Sequence, residues 1–186
     1  MRLAPIERPP TLKARVAGWM MKRRLGRVIT PAQVIYHRVP AALDVGWAML
    51  KLESKGLTLD HSLRILVKTW AAMINRCTFC VDIARAQAVM ERVGLEKFDA
   101  LPQWRTSPIF DGRERAALAY VDEATREKHV TDATFAELQK HFTEREIVEI
   151  TILNAAENFY NLMNIPLEIE EDGLCAIQQE KRTNAA

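Results

Sequence analysis

The sequence predicts an all-α fold. Three observations carry that expectation. Apolar residues recur at helical spacing from Leu12 to Asn164, no segment shows the period-2 alternation bounded by turn residues that marks a strand, and helix-start signals recur, two of them with capping-box spacing. With 186 residues and 48% apolar content, the chain is long enough for one sizeable core and too short for two independent folding units.

Each element follows from local pattern. Leu12 to Leu25 is a basic amphipathic helix in which Lys13, Arg15, Lys22, Arg23 and Arg24 surround Leu12, Val16, Trp19 and Met20. That stripe suits packing on the chain's own domain or a neighbouring subunit; an anionic membrane surface is the less favoured partner. Ala41 to Lys55 follows Pro40 and closes on Gly56, where a left-handed cap is expected. The next helix, Asp60 to Ile74, turns Leu63, Leu66, Val67, Trp70, Ala71 and Ile74 inward. Another starts near Cys77 and ends before Gly94. Leu95 to Pro108, with Pro102, Thr106, Ser107 and Pro108, reads as a loop or short helical turn. Asp111 with Glu114 starts a helix to about Thr125, Thr131 or Asp132 a short one to Phe142, and Thr143 with Glu146 a long apolar one to Asn164. Asp60 to Cys80 and Glu144 to Asn164 echo one another as an internal helical-hairpin repeat, each joining a polar start to a long apolar helix. Beyond Cys175 the polar residues from Gln178 to Ala186 read as a disordered tail.

A formal charge of +2, from 26 basic and 24 acidic residues, supplies no whole-molecule field that would recruit nucleic acid. The stretch Met1 to Pro10 has no hydrophobic segment or small-residue cleavage site, and no later run is long enough to span a bilayer, so the expected location is the cytoplasm. In that reducing compartment, three cysteines with two in C-x-x-C point to redox or metal chemistry rather than a disulfide framework.

Asn75-Arg76-Cys77-Thr78-Phe79-Cys80 sets two thiols three positions apart at a helix start, on one face, expected to be reachable by solvent and able to close a short disulfide. Asn75 is the expected N-cap. The positive end of the helix dipole and the Arg76 cation would lower a cysteine pKa, and the thiolate is the nucleophilic form. Structural zinc also uses C-x-x-C but needs two more ligands; His37, His61, His129 and His141 lack metal-pair spacing, and Cys175 has no companion.

The run Ala72-Met73-Ile74-Asn75-Arg76-Cys77-Thr78-Phe79-Cys80-Val81-Asp82 resembles the core of the carboxymuconolactone decarboxylase and alkyl hydroperoxidase D-like family. Glu146-Ile147-Val148-Glu149-Ile150 through Ala156-Glu157-Asn158-Phe159-Tyr160-Asn161 is similar to the long second-half helix of its peroxidase-related branch. The likeness runs from about Pro31 to Leu174, which marks 1–30 as a helical extension, 31–176 as the domain and 177–186 as the tail. It implies an all-helical fold, dimers, trimers or hexamers, and reduction of a peroxide or disulfide by the Cys77/Cys80 dithiol. No metal or organic cofactor is implied, but an external thiol reductant is. A decarboxylase-type lyase follows from kinship alone.

The family's hydroperoxidase pattern, E-x11-C-x2-C-x3-H, is met here only at the cysteines: Ile65 stands at the Glu position and Ala84 at the His position. The usual proton relay is therefore absent, which motivates a redox-sensing module without turnover as an alternative. Substitute groups are Asp82, expected to point away from the thiol face, His61, a helix-length upstream, and Lys68, one turn from Ile65; for each, a surface, capping or ion-pair role is the competing reading. The attacking sulfur stays open, because helix-end electrostatics and Arg76 favour Cys77 whereas the resemblance implies Cys80. Glu157 and Asn158, inside an apolar helix, are expected to bond to another helix. Tyr36-His37-Arg38 is expected to pack, and Trp19, Trp47, Trp70 and Trp104 to fill core or interface.

Overall fold

The computed structural model describes residues 1–184, and among them every regular element is helical. In order these are α1 (Leu12–Leu25), a π-helical turn (Ala32–Tyr36), α2 (Ala42–Lys55), α3 (His61–Ile74), α4 (Thr78–Met90), α5 (Glu96–Ala100) with a 3-10 turn (Leu101–Gln103), α6 (Gly112–Arg126), α7 (Asp132–Gln139), α8 (Glu144–Asn164) with a 3-10 turn (Ile165–Leu167), and α9 (Leu174–Thr183).

The helix starts form as their sequences dictate. Asp60 accepts from the Leu63 N–H at 2.8 Å, and both capping boxes, Asp111 with Glu114 and Thr143 with Glu146, are complete. Helix α3 is apolar nearly all round, burying Ile65, Thr69 and Ala72 besides the expected Leu63, Leu66, Val67, Trp70 and Ala71, so it takes the centre and packs on α4, α6 and α8. Trp70 meets Trp104 edge to face at 6.4 Å. Helix α4 runs antiparallel to α3, since His61 at the start of α3 pairs with Glu91 just past α4 at 2.6 Å. Helix α8 runs parallel to α3: Thr58 and Leu59, before α3, bond to Glu149, while Asn75, after it, bonds to Asn158 and Asn161.

Four expectations are corrected. Gly56 is not left-handed (φ −99°), because the chain turns at once so that the Thr58 and Leu59 N–H groups reach Glu149. The polar tail is not disordered through its described part. It forms α9 to Thr183, seated on α4 and held to α1 by Gln178, whose side-chain amide donates to the Leu25 carbonyl at 2.8 Å; positions 185–186 lie outside the described residues. Asn75 caps the C-terminus of α3 rather than the N-terminus of α4. Finally, α1 does not lay its large apolar stripe on its own domain. It buries the small face Ala14, Ala17 and Gly18, leaving Leu12 (74% exposed), Val16 and Trp19 outward. At its end Gly26 is left-handed (φ +95°), and a Cβ there would lie 2.7 Å from the Ile177 side chain. Helix α2 likewise buries only Leu43, with Val45, Trp47 and Leu50 exposed. His37 and Arg38 do pack, binding the carbonyls of Ile6, Val34 and Ala4. No helix among the described residues is long and apolar enough to cross a membrane.

Candidate functional site

The chain reverses from α3 into α4 within three residues, and that reversal builds the site. The Asn75 N–H closes α3 on the Ala71 carbonyl, Arg76 takes a left-handed conformation (φ +61°), and Cys77 becomes the N-cap of α4 with extended backbone. Cys80 then falls at the third helical position. The two Cα atoms are 5.2 Å apart and the sulfurs are joined in a disulfide. Both cysteines are buried, Cys77 to 1% and Cys80 to 3% exposure, although a helix mouth reachable by solvent was expected. Helices α8 and α9 both pack on α4 and close over this turn, and most of α9 falls in the stretch expected to be a disordered tail.

The two sulfurs have different surroundings. Cys77 lines an open cavity of about 590 Å³ with Met73, Arg76, Thr78, Arg85 and Cys175. Cys80 instead meets α8, where the Asn164 side-chain N–H donates to its Sγ at 3.4 Å. That contact ends a polar strip along α8, formed by Asn154, Glu157, Asn158, Asn161 and Asn164, at the three- and four-residue spacing that keeps them on one face. Asn75 donates to Asn158 (2.9 Å) and Asn161 (2.8 Å), Asn161 donates to Glu157 (2.7 Å), and Thr125 donates to Asn154 (2.8 Å). The helix-to-helix bonding expected of Asn158 is thus present. Burial raises the pKa of the Glu157 carboxyl, against the opposing pull of Lys68 and the Asn161 hydrogen bond.

The other proposed helpers lie as follows. Asp82 lines the same cavity as Cys77 but is buried and makes no ion pair among the described residues: it accepts from the N–H groups of Asp172 (3.1 Å), Leu174 (2.8 Å) and Cys175 (2.9 Å), fixing the start of α9 against α4. His61 sits at the far end of the 14-residue α3, about 20 Å along the axis from the disulfide turn. Lys68 pairs with Glu53 at 2.8 Å and is mostly buried beside Glu157. Arg76 is exposed and makes no ion pair among the described residues. Ile65 and Ala84 are both buried, so no carboxylate or imidazole reaches the sulfurs from those positions. The sequence reading missed Asn161 and Asn164, and the signal was the polar strip itself. Among the described residues no group of three or more His, Cys, Asp or Glu side chains stands where it could hold a metal ion.

Comparison with known proteins agrees with this architecture. The model of the carboxymuconolactone decarboxylase family matches residues 33–123. The uncharacterised protein YnjA of Escherichia coli K12 is 34% identical over 188 residues, covering 97% of this chain and 100% of that one. Among solved structures, a protein of unknown function from Agrobacterium tumefaciens, ATU0492, proposed as the antioxidant defence protein AhpD, superimposes with a TM-score of 0.69 at 28% identity, over 73% of this chain and 94% of that one. The debrominase Bmp8 shares the fold with a TM-score of 0.81 at 18% identity, over 96% of each chain.

Proposed function

Because the chain belongs to the carboxymuconolactone decarboxylase family, among its alkyl hydroperoxidase D-like members, we propose that it is a cytoplasmic thiol-dependent oxidoreductase that reduces a small peroxide. The observation that carries the reading is the Cys77–Cys80 disulfide at the start of α4, with Cys77 among the residues that line a cavity. In the oxidative half, the dithiol and ROOH give the disulfide, ROH and water; the O–O bond breaks and the S–S bond forms. In the reductive half, two equivalents of an external thiol restore the dithiol and leave as their own disulfide. The first turn of α4 supports a thiolate through its free N–H groups.

Single turnover tests this directly. Reduced protein mixed with hydrogen peroxide is expected to lose two thiols per peroxide consumed and to yield a Cys77–Cys80 linkage by peptide mass spectrometry, then to cycle when a dithiol is supplied. Peroxide that persists in the presence of reduced protein would end the reading. A second reading, a redox sensor, is favoured by the buried Ile65 and Ala84 where the relay groups would stand. It predicts the same linkage once, with no steady turnover.

The chain also acts as a homo-oligomer in this proposal. Besides the outward faces of α1 and α2, Val148, Phe159 and Leu162 (72% exposed) leave apolar surface on α8, more than isolated exposed side chains explain. Light scattering is expected to give a multiple of the chain mass, and Leu162→Glu with Trp47→Glu is expected to lower it. A monomer at micromolar concentration would contradict this.

A further inference from the structure

The disulfide is asymmetric, and the asymmetry assigns a direction to its opening. Exchange needs an incoming thiolate in line with the S–S bond, and access decides which sulfur it strikes. Both cysteines are nearly sealed, at 1% and 3% exposure, but only Cys77 is among the residues that line the cavity, so a thiolate entering through it meets Cys77 first and Cys80 is the sulfur that leaves. A thiolate departing into a 3% exposed site needs donors there, because burial disfavours the charged form.

Two kinds of donor are at hand. One is the first turn of α4, whose leading N–H groups have no acceptor within the helix. The other is Asn164, with its N–H 3.4 Å from Cys80 Sγ. Its own burial is nearly complete at 3% exposure, and its Oδ1 is sealed from solvent without a hydrogen-bond partner. A buried amide with one end unpaired is disfavoured relative to an apolar side chain of the same size, unless its other end does something leucine cannot. That other end touches sulfur.

We propose that Asn164 receives Cys80 as a thiolate when a reductant thiolate opens the disulfide at Cys77. The incoming sulfur bonds to Cys77 Sγ, the S–S bond breaks, and its electron pair goes to Cys80. A second reductant thiol then displaces Cys77 from the mixed disulfide, gives it its proton and departs as the oxidised reductant. Asn164 does for the leaving sulfur what the imidazole absent at Ala84 cannot. The charged and titratable groups on the surrounding elements do not substitute for it. Asp82 is engaged by α9, Glu157 lies two turns back on α8 and is protonated more readily than usual, Tyr36 from the π-helical turn is held neutral by burial, and Arg76 is outward. Arg85 on the cavity is paired with Asp99 at 2.7 Å, and Glu171 and Cys175 line the cavity on the Cys77 side and offer no cation.

The inference rests on the dithiol reading above, but its test uses no peroxide. In the full chain carrying Cys77→Ser and Cys175→Ser, Cys80 is the one thiol, and its pKa is read from the pH dependence of iodoacetamide alkylation. Asn164→Leu is expected to raise the midpoint by about one pH unit, the effect of losing one hydrogen bond to a charged group. Asn164→Asp, close to isosteric, is expected to raise it at least as far, because its carboxylate repels the thiolate. With all cysteines present, both variants should slow opening of the disulfide by dithiothreitol several-fold, while Cys77 alkylation in a Cys80→Ser background stays unchanged. Midpoints within about 0.3 unit of the parent in a variant with native circular dichroism would overturn the proposal. If the leucine variant fails to fold, the aspartate variant decides alone. Shifted midpoints in a protein without peroxide turnover would leave Asn164 its role and remove the peroxidase; turnover with unshifted midpoints would do the reverse.

Discussion

Serine at either Cys77 or Cys80 is expected to stop peroxide turnover, a loss of several orders of magnitude relative to the parent, because each sulfur is a bond-forming atom in the cycle. The two variants should stop differently. Thiolate stabilisation by the first turn of α4 and by Asn164 favours Cys80 as the sulfur that attacks a peroxide small enough to pass from the cavity beyond position 77. The Cys77→Ser variant is therefore expected to react once and halt with a sulfenic acid on Cys80, which peptide mass spectrometry reads as one added oxygen. The Cys80→Ser variant should lack even that first oxidation and should accumulate a stable mixed disulfide on Cys77 when given an oxidised low-molecular-weight thiol. The opposite pattern would assign the attack to Cys77. Turnover surviving both substitutions would remove the pair from the chemistry.

Glu149→Ala is expected to destabilise the protein by about 2–4 kcal/mol, the cost of leaving buried backbone donors unpaired, since its ion-pair partner Arg145 is itself exposed to solvent. Its carboxylate, nearly sealed from solvent, accepts from the Thr58 N–H (2.8 Å), the Thr58 hydroxyl (2.9 Å), the Leu59 N–H (2.9 Å) and Arg145 Nε (2.9 Å), so alanine would leave two backbone donors of the α2–α3 turn without acceptors. Burial alone would raise its pKa. The bonds from Leu59, Arg145 and Thr58 outweigh burial and bring it from 4.5 down to about 2. A carboxyl whose pKa falls on folding stabilises the fold above its unfolded value, and that contribution, about 3 kcal/mol here, fades as pH drops from about 5 toward 2. Urea unfolding at pH 7 should therefore show the full loss in Glu149→Ala, and between pH 5 and 3 the variant's stability should fall less steeply than the parent's. A loss under about 1 kcal/mol at pH 7 would mean that the α2–α3 turn is held by other contacts.

How much of this was legible in the chain differs by element. The helices α3, α6 and α8 were readable because their caps lie within three residues of their starts and their apolar spacing is strong, and neither signal needs a partner to be recognised. The C-x-x-C pair was readable for the same reason, as geometry within one turn. Helix α9 was not: a short polar stretch has little helical stability alone, and its start is fixed by Asp82, 90 to 93 residues away in the chain. Asn75 was misassigned because its spacing suits a cap equally well, and only the arrival of α8 gives its amide two better acceptors.

By itself, then, the sequence determined the helical class, the helix starts and the adjacency of two sulfurs, since each depends on interactions among residues a few positions apart. Which sulfur borders the cavity, what donates to the other, and what buries them both were decided only when α8 and α9 closed on α4. Those contacts join residues 84 to 93 positions apart, and no local pattern encodes them.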